Sequence, residues 1–155
     1  MTEWSPTQYL QFEKQRTQPA IDLAARVADR SVRAAVDVGC GPGNSTAVLR
    51  RVFPKASLLG VDLSPEMVEK AANRYPDIPF RVCDAAALTG QYDLVFSNAC
   101  LQWIPHHDSL IPKLMERLTD GGVLAVQMPM NEAEPLYRII REVTAEAKCG
   151  IQKVR

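Results

Sequence analysis

The stretch VDVGCGPGNST, residues 36–46, decides the fold of this chain. An apolar run, 34–38, leads into three glycines at alternate positions, and a segment typical of a helix start follows. Glycine lacks a Cβ, so such a turn lets the backbone approach a ligand closely. We therefore predict a strand, a ligand-binding turn through Gly39, Gly41 and Gly43, and a helix capped by Asn44 or Ser45.

Four more short apolar runs alternate with helical segments along the chain. Strands that are buried on both faces of a parallel sheet have this appearance, so we predict an α/β fold with helices on both faces of the sheet. The predicted strands are 34–38, 57–62, 79–83, 92–97 and 122–128.

The helices carry start and stop signals. Ser64 precedes Pro65 as an N-cap would, and Pro76 ends that helix. Asp108 is predicted to cap a helix that Gly121-Gly122 terminates. We also expect a helix that Pro19 opens, with an apolar face of Ile21, Leu23, Ala24 and Val27, and a last helix over 132–148 with an apolar face of Leu136, Ile139, Ile140 and Val143.

Composition excludes several classes of protein. The 155 residues are 46% hydrophobic and 23% charged, as in globular domains rather than disordered or fibrous chains. Lys and Arg, 18 together, balance 18 Asp and Glu, so no excess positive charge is available for a nucleic-acid backbone. No run reaches the roughly 18 apolar residues of a membrane span, and the N-terminus lacks a signal-peptide layout. We expect a cytoplasmic protein that binds neither nucleic acid nor membrane.

The cysteines are scattered singly and form no C-x-x-C pair. They are Cys40, Cys83, Cys100 and Cys149, and three of them lie in or beside apolar strand-like runs. We interpret them as buried, reduced thiols and predict neither a disulfide framework nor a metal site.

Spacing separates the nucleotide-binding motifs that compete for the glycine turn. A phosphate-binding P-loop ends in G-K-[ST], and no lysine is present here. The dinucleotide fingerprint requires glycine at the position of Asn44. What remains is D-x-G-x-G-x-G, which begins at Asp37 and resembles the first motif of Rossmann-like methyltransferases that use S-adenosylmethionine (AdoMet).

Two carboxylates support this resemblance. Asp62 ends the second predicted strand, 19 residues after Gly43, where an ionised carboxylate accepts both ribose hydroxyl protons; the alternative is that Asp62 only caps the following turn. Asp84 ends the third strand, and the resemblance implies a contact with the adenine amino group; the alternative is a solvated loop acid. Their neighbours Leu63 and Ala85 complete this side of the predicted cofactor site.

The fourth predicted strand ends in SNACLQWIP, residues 97–105. We predict that Asn98 binds the cofactor and that Gln102 and Trp103 contact the substrate, with Ser97 beside them. For Trp103 a place in the core is the alternative. His106-His107 has the pKa range of a general base, but we favour a solvated turn there.

Three stretches resemble one family within this superfamily, the trans-aconitate 2-methyltransferases. They are WSPTQYLQFEKQRTQPA at 4–20, SNACLQWIPHHD at 97–108 and GGVLAVQMP at 121–129. Malonyl-carrier-protein methyltransferases are similar around N-x-x-x-Q-W and form a near alternative. In such enzymes the N-terminal segment covers the cofactor. Here Tyr9 and Arg16 share a helical face with Phe12 and Glu13, and we predict that Tyr9 and Arg16 bind the substrate; an amphipathic helix packed on the core is the alternative.

The resemblance implies a cofactor-covering segment at 1–30, an AdoMet-binding core at 31–148 and a tail at 149–155. The family's sheet has seven strands, so we expect the order 3-2-1-4-5, a C-terminal truncation that removes the last two strands, and a homodimer through the open edge of strand five. The implied function is O-methylation of a carboxylate of a small polycarboxylic acid, without a metal or a catalytic acid or base. The alternative is an AdoMet-binding module with little or no turnover.

Overall fold

Residues 17–129, the part of the chain that the computed structural model describes, contain five parallel strands. Their order across the sheet is β3-β2-β1-β4-β5, which confirms the predicted fold class and strand order. The strands are β1 (Ala34–Val38), β2 (Ser57–Asp62), β3 (Phe80–Val82), β4 (Tyr92–Asn98) and β5 (Leu118–Gln127).

The helices cover the two faces of this sheet. They are α1 (residues 17–25), α2 (Asn44–Val52), α3 (Pro65–Arg74) and α4 (His107–Met115), with short 3₁₀ turns at Ala85–Ala87 and Leu101–Trp103. As predicted, α3 begins with Ser64 as its N-cap, whose side chain accepts a hydrogen bond of 3.3 Å from the backbone N–H of Met67. None of the helices in 17–129 is long and apolar enough to cross a membrane.

Two hydrophobic clusters sandwich the sheet. Leu94 and Phe96 of β4 face the cluster that contains Ala24 of α1 and Leu49 of α2. Val95, between them in sequence, faces the cluster that contains Leu114 of α4. These strand residues are fully buried, as central strands of a doubly covered parallel sheet are. Packing on both faces therefore fixes the strand ends, which carry the polar residues of interest.

The predicted boundary between α4 and β5 is wrong. The helix ends at Met115, and β5 starts at Leu118 and runs through Gly121-Gly122. The pairing of β5 with β4 shifts between Tyr92 and Leu94. Gly121 takes a φ of 75° there, a conformation that glycine adopts without strain. The glycine pair thus lies within a strand, where it permits the shift in strand pairing, although the sequence alone predicted that it would end a helix.

Two predicted helix starts are also wrong. His106, not Asp108, is the N-cap of α4, and Asp108 lies in the first turn. Helix α1 is already helical at residue 17, so Pro19 does not open it, and Ile21 is exposed where Ala20 is buried. Tyr9, Arg16, the predicted helix over 132–148 and the tail at 149–155 lie outside the described residues.

Candidate cofactor and substrate site

A cleft of about 520 Å³ opens at the carboxyl ends of β1, β2 and β4. Ligands bind at this place in open parallel sheets, and the volume is in the range of small-molecule sites. The cleft is lined by Val38, Gly39, Gly41, Pro42, Asp62, Leu63, Met67, Cys83, Asp84, Ala85, Ala99, Cys100, Trp103, Ile104 and Pro105. Six residues that the sequence predicted for the site line it on the cofactor side, namely Gly39, Gly41, Asp62, Leu63, Asp84 and Ala85.

The backbone N–H groups of the glycine turn are engaged within the protein. Those of Gly39 and Cys40 donate to the carbonyl of Val61 at 2.8 and 3.0 Å. That of Gly41 donates to Asp62 Oδ2 at 2.9 Å, and that of Gly43 donates to the Cys40 carbonyl at 3.0 Å. Pro42 has no N–H. A phosphate-binding turn needs free N–H groups that point at the anion, so this turn is unsuited to a pyrophosphate.

The three glycines of the turn meet different neighbours. A Cβ on Gly39 would collide with the Cβ and Sγ of Cys100. A Cβ on Gly43 would come within 2.8 Å of the Tyr75 ring, and Gly43 does not line the cleft. Gly41, with a φ of 52°, has no heavy atom within 4 Å of that position. Gly39 and Gly43 therefore permit internal packing, whereas Gly41 leaves open space beside its backbone in the cleft.

Asp62 links the end of β2 to the glycine turn. Its Oδ2 accepts the Gly41 N–H, and its Oδ1 accepts the Ser64 N–H at 2.9 Å. An ionised carboxylate offers about four acceptor positions, so two backbone donors leave capacity for two hydroxyl donors from a ligand. Asp62 thus caps the following turn and lines the cleft, and the two interpretations of the sequence are compatible.

Asp84 follows β3, the strand next to β2, and lines the same cleft. Its Oδ1 accepts the N–H of Ala86 at 2.8 Å, which caps the 3₁₀ turn that begins at Ala85. The side chain is exposed and lines the cleft. Leu63, which follows Asp62 and also lines the cleft, is 69% exposed. An exposed apolar side chain is therefore available in the cleft that both carboxylates line.

Asp37 comes just before the glycine turn in β1 and does not line the cleft. It is fully buried, and its Oδ2 accepts hydrogen bonds of 2.6 Å from the hydroxyls of Ser45 and Thr46. Burial raises the pKa of this carboxyl to about 6, although the two hydroxyls oppose the shift, and the charge of Asp62 adds to it. The predicted cap of α2 is wrong, because Gly43 is the N-cap and no side chain caps it.

The end of β4 contributes the remaining wall. Trp103 lines the cleft and is 81% exposed, which excludes the place in the core, and its contact with a substrate stays a prediction. Gln102 does not line the cleft, and its Nε2 donates to the Ala99 carbonyl at 2.8 Å. Asn98 lies just outside the lining, with an Oδ1 that is buried and has no hydrogen-bond partner in the described structure. Ser97 is buried and donates to the Val38 carbonyl at 2.8 Å.

The histidine pair differs from the predicted solvated turn at one position. His106 is exposed, but His107 is half-buried, and its Nε2 lies 2.7 Å from the Leu101 carbonyl. His107 therefore joins the start of α4 to the 3₁₀ turn that carries Trp103.

The sequence did not indicate that thiols line the cleft. Cys40 is buried as predicted, but Cys83 and Cys100 are only half-buried and form part of the cleft wall with Met67. Burial, with the nearby charges of Asp62 and Asp37, raises the pKa of Cys100 to about 11, so this thiol is protonated at neutral pH. The signal available in the sequence was that Cys40, Cys83 and Cys100 each lie at or just after the end of a predicted strand, where the cleft was expected.

The described lining has a negative balance. It contains the carboxyl groups of Asp62 and Asp84, and none of its residues is Lys, Arg or His. Within residues 17–129, no three His, Cys, Asp or Glu side chains are grouped as metal ligands. The described site thus favours a ligand that carries hydroxyl donors and positive charge.

Comparison with known proteins agrees with this geometry. The sequence profile of a methyltransferase-domain family matches residues 35–122, and the chain belongs to that family. A trans-aconitate 2-methyltransferase of Methylobacterium radiotolerans is 50% identical over 147 residues, which cover 94% of this chain and 56% of the relative. A second relative of that name, from Variovorax paradoxus, is 46% identical over 150 residues, which make up 95% of this chain and 58% of the relative. The chain thus spans somewhat more than half the length of these curated relatives.

Solved structures support the fold. An amino-pentose methyltransferase of Micromonospora echinaspora, determined with AdoMet bound, superimposes with a TM-score of 0.67 at 21% identity. The match covers 84% of this chain and 58% of that protein. The described domain therefore has the Rossmann-like methyltransferase fold.

Proposed function

We propose that this chain binds AdoMet in the cleft at the carboxyl ends of β1, β2 and β4 and takes part in O-methylation of a small polycarboxylic acid. The observation that carries the proposal is the partly occupied carboxylate of Asp62 beside a glycine turn with no free N–H in residues 39–43. Such a site suits a ribose without a pyrophosphate. The acidic lining also suits AdoMet, whose ammonium and sulfonium groups outweigh its one carboxylate.

The residues present fit this cofactor, and each has an assigned place in the proposal. Asp62 accepts the ribose hydroxyls, Leu63 and Ala85 pack on the adenine, and Asp84 accepts from its amino group. Gly39 and Gly41 bring the backbone close to the amino-acid portion, with Gly43 shaping the turn. Asp37 acts on the cofactor through its charge and without direct contact, because it is buried, interacts electrostatically with Asp62 and does not line the cleft. Asn98 completes the site at the end of β4.

The proposed reaction requires no general acid or base from the protein. When bound, AdoMet supplies an electrophilic methyl group. A carboxylic acid with a pKa near 4 is already ionised at neutral pH, so no side chain needs to remove a proton from it. The protein must align the carboxylate and exclude water, and an apolar wall such as Trp103, Ile104 and Pro105 serves both purposes.

The acceptor class is inferred from three sources. The curated relatives are named trans-aconitate 2-methyltransferases. The exposed Trp103 offers an apolar wall for the carbon skeleton of an acid. Arg16, outside the described residues, has a planar guanidinium that matches a carboxylate, and we propose it with Tyr9 as the substrate-binding pair.

The predicted homodimer through the edge of β5 and the cytoplasmic location stay predictions of the sequence.

A methylation assay tests this function. The full chain is incubated with AdoMet that carries an isotope-labelled methyl group and with trans-aconitate, citrate or malonate, and the acids are analysed by mass spectrometry. We expect one labelled methyl on a carboxylate of trans-aconitate, and much less product at the same AdoMet concentration when Asp62→Asn replaces the wild type, because the variant binds the cofactor more weakly. Binding of S-adenosylhomocysteine without labelled product would favour the alternative, an AdoMet-binding module without turnover. Label on an amine or phenol instead would overturn the acceptor class.

A further inference from the structure

The turn that follows β4 contains a backbone conformation that its residue type disfavours. Ala99 has a φ of 53°, in the left-handed region, where a residue with a Cβ is strained. Ala99 and its neighbour Cys100 both line the cleft. A strained residue in a binding site persists only if the surrounding structure holds it, so the groups that hold Ala99 also shape the cleft.

Two hydrogen bonds hold the peptide groups of Ala99. Its N–H donates to the Gln127 carbonyl at 2.8 Å, which extends the pairing of β4 with β5 by one bond. Its carbonyl accepts from Gln102 Nε2 at 2.8 Å. The first bond involves backbone only, so the side chain of Gln102 is the replaceable group that acts on Ala99.

The conformation of Ala99 decides where Cys100 lies. The Cβ and Sγ of Cys100 occupy the space in which Gly39 would carry a side chain. Cys100 thus seals the end of β4 against the first glycine of the turn, and both residues line the cleft. If Ala99 relaxed to a negative φ, the chain direction after Ala99 would change, and Cys100 would leave Gly39.

We propose that Gln102 is a positioning residue, whose amide holds Ala99 in the left-handed conformation and thereby keeps Cys100 against Gly39 in the wall of the cofactor cleft. The side chain is committed to this bond: its Nε2 is engaged, and its Oε1 is buried without a hydrogen-bond partner in the described structure. The effect on cofactor affinity rests on the function proposed above, whereas the effect on Cys100 does not.

The alkylation rate of Cys100 tests the positioning role without any ligand. Iodoacetamide labelling followed by peptide mass mapping reports Cys100 separately from the other thiols. In Gln102→Met, which keeps the length of the side chain but removes the donor, we expect Cys100 to be labelled about tenfold faster, the factor that corresponds to the loss of one hydrogen bond that opposes relaxation of Ala99. Glycine adopts a positive φ without strain, so Ala99→Gly added to Gln102→Met should restore slow labelling.

His107→Ala is the matched control. It removes another bond from a side chain to a backbone carbonyl in the same segment, that to Leu101, but it leaves Ala99 untouched. It should lower the melting temperature and leave the labelling rate of Cys100 unchanged. If Gln102→Met fails to fold, the double variant with Ala99→Gly must fold and label slowly.

The same variants are titrated with S-adenosylhomocysteine. We expect Gln102→Met to bind about tenfold more weakly and Ala99→Gly to restore the affinity. An unchanged labelling rate in Gln102→Met, or fast labelling that Ala99→Gly does not reverse, would overturn the positioning role. Absence of binding in the wild type, with the labelling rates as expected, would overturn the proposed cofactor and leave the positioning role standing.

Discussion

Two aspartates at opposite ends of the sheet use their carboxylates in different ways. At the amino end, Asp93 Oδ2 accepts the backbone N–H groups of Arg33 and Ala34 at 2.8 and 3.1 Å, and its Oδ1 accepts the Thr119 hydroxyl at 2.7 Å. The guanidinium of Arg33 adds an ion pair at 3.7 Å. At the carboxyl end, Asp62 accepts only two backbone N–H groups among the described residues.

The comparison separates a structural carboxylate from one that is available to a ligand. Both residues join neighbouring strands, yet the acceptor positions of Asp93 are almost filled, whereas Asp62 keeps about half of its capacity and lines the cleft. Residue type and backbone capping therefore do not identify a binding carboxylate. The number of acceptor positions that the protein leaves open does.

The largest expected effect is on stability, at Gly39. In Gly39→Ala the added methyl group would collide with Cys100, and the alanine would have to adopt the positive φ of Gly39. We therefore expect a loss of about 3 kcal/mol or more in the free energy of unfolding. Gly121→Ala, at the amino end, has a φ of 75° but open space, so it should cost about 1–2 kcal/mol. Urea denaturation of both variants provides the measurement. Equal losses would show that Cys100 does not pack on Gly39.

The next effect is on ligand affinity and compares the two aspartates directly. Asp62→Asn should weaken binding of S-adenosylhomocysteine by about 1.5–3 kcal/mol, because a charged acceptor of two hydroxyls becomes an amide. Asp93→Asn should lower the melting temperature and leave the dissociation constant unchanged, because Asp93 lies at the other end of the sheet. Calorimetric titration measures both constants. Weakened binding in Asp93→Asn alone would reverse the assignment.

A glycine pair provides a smaller contrast. Gly41→Ala and Gly121→Ala both add a methyl group at a positive φ with no heavy atom within 4 Å, so each should destabilise the fold by about 1–2 kcal/mol. Only Gly41 lines the cleft, and we expect only Gly41→Ala to weaken ligand binding. Thermal melts with and without S-adenosylhomocysteine give both quantities. If ligand raises the melting temperature of both variants equally, the turn does not approach the ligand.

The smallest expected effect concerns pH. The pKa of Asp37 in the folded protein, about 6, lies above that of an unfolded aspartate, so the folded state binds the proton more tightly than the unfolded state does. The contribution of Asp37 to stability therefore rises as pH falls. From pH 7 to pH 5 the wild type should gain about 1 kcal/mol relative to Asp37→Asn. Asp93 has the opposite sign: the Thr119 hydroxyl and the Arg33 N–H lower its pKa, so its contribution is lost on acidification.

Denaturation curves of the wild type, Asp37→Asn and Asp93→Asn at both pH values measure these contributions. Parallel pH profiles for the wild type and Asp37→Asn would show that Asp37 is not a buried acid with a raised pKa.

Sequence predicted the parts of the site that depend on spacing. Asp62 was predicted to lie beside the glycine turn because it ends the second strand 19 residues after Gly43, and β1, β2 and β4 were predicted because their runs are short and mostly apolar. The partners of Asp37 were missed, since the hydroxyls of Ser45 and Thr46 also suit a helix cap. The left-handed conformation of Ala99 could not be predicted from the sequence, because hydrogen bonds within the fold stabilise it and alanine has no local preference for it.

The most direct test is to titrate the wild type in a calorimeter with S-adenosylhomocysteine and, in parallel, with NAD. The comparison shows whether the cleft binds a ribose ligand without a pyrophosphate in preference to one with it. We predict saturable binding of one S-adenosylhomocysteine per chain and no measurable heat with NAD, because the N–H groups of residues 39–43 are already bonded within the protein. Saturable binding of NAD, with none of S-adenosylhomocysteine, would contradict the account.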